Sequence, residues 1–297
     1  MTGAPIEVGV VGAGPWAAMV HAPTFAAGPE TRLAGVWARR PEAAERLASR
    51  HHVPAIVDLD ELFERCDAVA FAVPPDVQAP LAARAARAGL AVILEKPIAG
   101  DVAGAVEVAT AVEEAGVASL VVLSWRYAPA VRRFLDAAAT TEVSGGSGRF
   151  LSGGALAGPF ATPWRLERGP LLDLGPHVVD LLDAAMGQVT AIHAFGDRHG
   201  WVDLVLEHRG GTSSSVALCA TTPIDPSRAG VELYGPAGVL EIDCTAAVDG
   251  SAFATLRRQL VQTMADGGGH PLDVRRGLHL QRLLHDAEQQ LLATGGG

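Results

Sequence analysis

The sequence predicts an α/β chain: an N-terminal doubly wound parallel sheet over residues 1–123, then an α+β domain with an open, mainly antiparallel sheet over residues 124–297. Three observations predict it. Up to about residue 123, short runs that are apolar nearly throughout alternate with longer Ala-rich amphipathic stretches, the pattern of a parallel sheet covered on both faces. A glycine-rich turn, Gly12-Ala13-Gly14, closes the first run. Beyond Leu123 the apolar runs alternate or crowd together, and His199-Gly200, Arg209-Gly210-Gly211 and Gly235-Pro236 join them at hairpin-like spacing.

The first six strands are expected at Ile6 to Val11, Arg32 to Trp37, Ala55 to Val57, Ala68 to Val73, Ala91 to Leu94 and Ser119 to Leu123. Amphipathic stretches between them, such as Pro41 to Arg50, Val77 to Ala88 and Asp101 to Glu114, supply the crossover helices of a doubly wound fold. A helix from Pro129 to Ala139 opens the second domain, and the run Ser144-Gly145-Gly146-Ser147-Gly148 reads as a break. Strands follow at Arg149 to Ala155, Val189 to Phe195, Trp201 to Glu207, Ser213 to Ala220, Gly230 to Tyr234 and Val239 to Ile242. One or two helices would cover this sheet. A last helix is expected from Asp273 to Ala293, ahead of a flexible tail Gly295-Gly296-Gly297.

Composition narrows the function. The 49% hydrophobic and 19% charged content is that of a globular chain. A formal net charge of −10 and the lack of any dense Lys/Arg block exclude nucleic acid as a partner, because phosphate binding needs a basic stripe. Cys66, Cys219 and Cys244 are scattered and suit a reducing compartment. The start Met1-Thr2-Gly3-Ala4-Pro5 lacks a basic segment and the long apolar core of a signal peptide, and no stretch approaches the ~18 apolar residues of a membrane span. A cytoplasmic protein without membrane association is expected. His51, His52, His193, His199, His208, His270, His279 and His285 show no metal-ligand spacing, so no metal is expected and these read as surface or packing residues.

Four constellations carry chemistry. In Val11-Gly12-Ala13-Gly14-Pro15-Trp16-Ala17, a G-x-G-x-x-A follows a strand and opens a helix. Gly12 allows the tight turn, Gly14 lets a pyrophosphate approach, and small Ala17 permits close helix–strand packing. This predicts a dinucleotide site. At the end of the second strand, Ala38-Arg39-Arg40 offers two guanidinium groups and no carboxylate. That favours NADP over NAD, since Arg binds a 2′-phosphate bidentately; the alternative is a pair of solvated arginines. Lys96, in Glu95-Lys96-Pro97, leaves the fifth strand at its carboxyl end, where open α/β sheets bind ligands. It either hydrogen-bonds a substrate oxygen or is a strand-end lysine in solvent. Asp173 and His177 are four apart and would share one face of a helix, with Pro176 either starting or kinking it. An Asp beside a His suits acid/base work. For an isolated Asp-x-x-x-His, a capping Asp173 with a packed His177 is the preferred reading.

Together these features resemble the glucose–fructose oxidoreductase / inositol dehydrogenase / MocA family over nearly the whole chain. The resemblance implies an N-terminal Rossmann domain and an α/β domain with an open, mostly antiparallel sheet. It implies catalytic roles for Lys96, Asp173 and His177 and a cofactor-pocket role for Glu95. Trp164-Arg165 resembles a pair found near the nicotinamide in several members, and Trp16 matches a family variant positioned to cover the cofactor. Many members carry Thr-Pro after the fourth strand and a His shortly beyond; this chain has Val73-Pro74-Pro75 and Gln78. The family's Asn is not evident in Ser124-Trp125-Arg126-Tyr127, and the segment between Cys244 and His270 looks short, so substrate loops are expected to be reduced.

The resemblance further implies hydride transfer between the nicotinamide and a hydroxyl- or ketone-bearing carbon of a small-molecule substrate, a polyol or keto-sugar. His177 would exchange the proton, Lys96 would stabilise the developing alkoxide, and Asp173 would hold His177 or a neighbouring hydroxyl. The alternatives are a catalytically silent NAD(P)-binding sensor or scaffold, and a reductase of a dihydrodiol or imine. Trp201 and the alternating Val202-Asp203-Leu204-Val205-Leu206 fit a sheet buried on one or both faces, and the resemblance implies a homodimer or homotetramer built on that sheet.

Overall fold

Six parallel strands form the first sheet: β1 (Ile6–Val11), β2 (Thr31–Trp37), β3 (Ala55–Ile56), β4 (Ala68–Phe71), β5 (Ala91–Leu94) and β6 (Ser119–Val121). Their order is β3-β2-β1-β4-β5-β6, so the strand order reverses between β1 and β4. The computed structural model describes residues 4–158, 161–267 and 269–294; the expected glycine tail and residues 1–3 lie outside them. β4, β5 and β6 are buried at every position, as their uninterrupted apolar sequences require. Each fully buried aliphatic side chain contributes about 1.5–3 kcal/mol.

The crossover helices start where the chain offers a cap. Asp101 accepts the Gly104 amide at 2.7 Å ahead of the helix Val102–Ala115, which stops at Gly116 in the left-handed conformation. Asp58 caps Leu59–Glu64 in the same way, and Pro41 and Pro75 open the helices Pro41–Arg50 and Pro75–Arg87, where a missing N–H costs nothing.

The chain divides into two compact units, residues 1–122 with 253–279, and residues 123–252 with 280–297. Residues 253–279, expected in the second domain, thus group with the first. The reason lies at β6, the edge of the first sheet. The Val121 amide donates to the Leu272 carbonyl (2.7 Å), the Ser119 hydroxyl accepts the Val274 amide (3.0 Å), and Gly277 lies against Ile98 and Val121. An otherwise exposed strand edge is thereby covered. Most of the segment between Cys244 and His270 is a long helix, Gly250–Asp266. Among the described residues, no helix is long and apolar enough to cross a membrane.

The second unit has its own six-stranded sheet: β7 (Gly145–Leu151), β8 (Val189–Gly196), β9 (Trp201–His208), β10 (Ser213–Cys219), β11 (Arg228–Gly235) and β12 (Gly238–Asp243). The order is β12-β11-β7-β10-β9-β8, with β7 and β10 parallel and all other pairs antiparallel. Of the run 144–148, expected as a break, residues 145–148 are instead the first half of β7. Its glycines answer a packing demand: a Cβ on Gly148 would sit 2.5 Å from Val178 Cγ1, and one on Gly146 would sit 2.6 Å from Met186 Sδ. Both contacts come from the helix Gly175–Met186, which lies close on the backbone of β7. β9 alternates strictly: Val202, Leu204, Leu206 and His208 are buried, while Trp201, Asp203, Val205 and Glu207 are exposed. The sheet of this chain is therefore covered on one face and open on the other.

Candidate functional site

In the first unit the site begins where β1 ends. Gly12 has φ +120°, and a Cβ there would lie 2.3 Å from the Ala72 carbonyl oxygen in the loop leaving β4 and 3.2 Å from Val73 Cγ1. The fold itself demands this glycine. Gly14 differs: a Cβ there would meet nothing within 4 Å. No packing contact explains Gly14, and the space beside it faces the start of the helical segment 15–26, whose first N–H groups favour an anion. These residues fit the pyrophosphate of a dinucleotide. Pro15 is exposed at the start of the segment, and Ala17 is fully buried. Pro74 is exposed and caps Pro75–Arg87.

The helical segment makes a π turn over Ala17–His21. Side chains five apart on an α-helix point roughly 140° apart, whereas a π turn, bonded i to i+5, brings them toward one side. Trp16 and His21 are five apart and meet at the same carboxylate oxygen. The Trp16 indole N–H donates to Glu95 Oε1, and His21 Nε2 lies 2.8 Å from it. His21 is 2% and Glu95 14% exposed. The Trp16 ring also meets Phe253 edge-on, centroids 6.3 Å apart. Glu95 thus ties the glycine-turn helix to the end of β5, and half-buried Lys96 follows immediately. At the end of β2, Ala38 is half-buried, and Arg39 and Arg40 are exposed and in no ion pair among the described residues.

In the second unit, Asp173 and His177 do not share one helix. Asp173 ends the helix Pro163–Asp173, which breaks at Gly169-Pro170, and Leu174 separates it from Gly175–Met186, where His177 lies in the first turn. Pro176 starts that second helix, because a proline is tolerated in a first turn but would interrupt a continuous helix. Asp173 accepts from Arg165 Nε at 3.0 Å, and the Arg165 guanidinium lies 4.8 Å from the Trp164 ring centroid. Trp164 and Arg165 thereby group with Asp173.

His177 is packed against aromatic rings. Its centroid lies 5.3 Å from Trp125 and 6.3 Å from Phe150, and Trp125 stacks on Phe150 at 5.4 Å. One turn further on, Asp180 is 1% exposed and receives one Arg126 guanidinium nitrogen at 3.1 Å to both oxygens. This pair joins the helix carrying His177 to the segment carrying Trp125.

Sequence reasoning passed over His21, Trp125, Phe150, Arg126 and Asp180 as site residues. Two further sequence signals bear on the first-unit residues. His21 follows Trp16 by five residues, a spacing that only a π turn makes useful. Lys96 is also the single lysine among the 23 Lys and Arg residues. A chain that uses arginine everywhere else for positive charge keeps an amine at this one position. Cys66 and Cys244 play no part: burial pushes each thiol up to about 12. His208 is a satisfied core histidine, 2.8 Å from both the Gly187 carbonyl and the Ser214 hydroxyl.

Comparison with known proteins bears on the fold and family of the chain. Residues 6–123 match the model of an oxidoreductase family with an NAD-binding Rossmann fold, and residues 129–241 match a GFO/IDH/MocA C-terminal domain. A dTDP-3,4-didehydro-2,6-dideoxy-α-D-glucose 3-reductase of Streptomyces violaceoruber is 30% identical over 206 residues, covering 66% of this chain and 59% of that protein. D-apiose dehydrogenase of Paraburkholderia graminis is 29% identical over 203 residues, covering 61% of this chain and 49% of that protein. The crystal structure of GenD2 from gentamicin A biosynthesis, in complex with NAD, shares the fold with a TM-score of 0.87 at 22% identity, covering 99% of this chain and 96% of that one.

Proposed function

Because the chain belongs to the glucose–fructose oxidoreductase / inositol dehydrogenase / MocA family, we propose that it is an NAD(P)-dependent oxidoreductase acting on a sugar, cyclitol or related polyol. Lys96 carries this reading: the only lysine of the chain leaves β5 beside the carboxylate that anchors the glycine-turn helix. A bound nicotinamide dinucleotide supplies or accepts the hydride. The turn at Gly12 and Gly14 and the helix start at Pro15 would hold its pyrophosphate, Ala17 would keep that helix close to the sheet, Trp16 would cover the cofactor, and Ala38, Val73, Pro74, Glu95, Trp164 and Arg165 would complete the cofactor site.

Lys96 hydrogen-bonds the reacting substrate oxygen and stabilises alkoxide charge as it develops. His177 exchanges the proton with that oxygen, its ring plane set by Trp125 and Phe150. Asp173, held by Arg165, orients the neighbouring polar groups. Exposed Arg39 and Arg40, with no carboxylate at the end of β2, support NADP over NAD. The names of the curated relatives support a keto-sugar or sugar as the small-molecule substrate.

The open face of the second sheet carries Phe195, Trp201, Val205, Tyr234 and Val239, each at least 39% exposed, and supports a homodimer or homotetramer. Three free thiols suit a cytoplasmic setting. The test is hydride transfer with NADPH or NADH against a panel of free and nucleotide-linked sugars, keto-sugars and polyols. Nicotinamide turnover with at least one member is expected, faster with NADPH. Failure to bind either dinucleotide would overturn the proposal.

A further inference from the structure

After Leu94 the chain leaves the first sheet, and residues 95–98 lose the ladder partners that β5 provides. Backbone groups buried there must find others. They find them in one side chain, Gln78, which lies in the first turn of Pro75–Arg87 and is 0% exposed. Its Nε2 donates to the Glu95 carbonyl at 2.8 Å and the Ile98 carbonyl at 3.0 Å, with the Pro97 carbonyl more distant at 3.4 Å. Its Oε1 accepts the Glu95 amide at 2.8 Å. A carboxamide offers two N–H donors and an acceptor on one planar group, and here all three are used on the residues flanking Lys96.

We propose that Gln78 is a positioning residue for the proposed hydride-transfer reaction: its buried amide brackets residue 96 from both sides and sets where the Lys96 amine points. The inference rests on the role assigned to Lys96 above. It explains why a buried polar side chain occupies this helix turn, and why its hydrogen bonds all go to one loop. A displacement of about 1 Å at a reacting group costs roughly 100-fold in rate, so a loosened loop lowers kcat while the glycine turn still binds cofactor.

Lys96 being the sole lysine makes the test direct. Trinitrobenzenesulfonate modifies Lys96 and the N-terminal amine, and peptide mass mapping separates the two. In the wild type, NADPH is expected to slow Lys96 modification. In Gln78→Met this protection falls roughly tenfold, within the range that misplacement produces, while NADPH affinity stays near wild type. Gln78→His, which keeps one donor and one acceptor, recovers most of it. Should Gln78→Met fail to fold, Gln78→Asn carries the same expectation, since its amide is too short to reach the loop. Full protection in either folded variant overturns the positioning role alone. A wild type whose Lys96 NADPH does not protect overturns the reading of Lys96 and this inference with it.

Discussion

The two units build their parts of the chemistry in different ways. In the first, the site is made of backbone and short-range geometry: a left-handed glycine, an open space at Gly14, and a π turn that puts Trp16 and His21 on one carboxylate. In the second, it is made of packing between distant segments, with His177 against Trp125 and Phe150 and a buried Arg126–Asp180 pair spanning 54 residues of sequence. Binding a dinucleotide asks for a fixed backbone, which a local motif specifies. Orienting an acid/base group asks for a fixed side chain, which long-range contacts specify.

The largest effect should come from removing the oriented group. His177→Ala is expected to lower turnover by about 100- to 10,000-fold, the range of general acid–base catalysis, while NADPH titration stays near wild type. Wild-type turnover in this variant would remove the second unit from the proton transfer.

Next is the pair beneath it. Arg126→Met removes the guanidinium nitrogen that reaches both oxygens of the buried Asp180 carboxylate, which should cost about 1.5–3 kcal/mol in a denaturant melt, the value of hydrogen bonding to a charged group. By contrast, Arg65→Ala breaks an exposed i,i+4 pair with Glu61 and should cost about 0.3–0.5 kcal/mol. Equal losses would mean that the buried pair does not brace the helix carrying His177.

Legibility followed the same division. Strands Ile6–Val11 and Ala91–Leu94 were readable residue for residue, because the four buried positions Val8–Val11 of the first and all four of the second carry no polar side chain. The glycine turn was readable because its spacing is local. The β7 glycines were misread as a break, since composition does not reveal that Val178 and Met186 pack onto them from another element. The Asp173/His177 spacing suggested one helical face, but the break at Leu174 separates the two residues. The roles proposed for them rest on the family resemblance and not on their periodicity. The return of residues 253–279 to the first sheet is a tertiary edge contact that no local pattern encodes.

Within the first unit, the two glycines of the turn should separate. Gly12→Ala drives a Cβ to 2.3 Å from the Ala72 carbonyl oxygen and is expected to destabilise the fold measurably by calorimetry. Gly14→Ala adds a Cβ that meets nothing within 4 Å, so its stability should stay within about 0.5 kcal/mol of wild type, while NADPH fluorescence titration shows weakened binding. Unchanged affinity would mean that the space beside Gly14 is not where the pyrophosphate lies.

The smallest effect belongs to the surface. Replacing Arg39 and Arg40 with Ala should narrow the preference for NADPH over NADH by about tenfold, the value of one or two charge-assisted hydrogen bonds. A wild type that binds NADH more tightly would assign these arginines to solvent.

The most direct test of the account is Lys96→Met, measured twice on one preparation: NADPH affinity by fluorescence titration, and turnover with the best substrate of the sugar and polyol panel. Near-wild-type affinity with turnover lowered by about 100-fold or more is the expected result. Full turnover in the variant would contradict it.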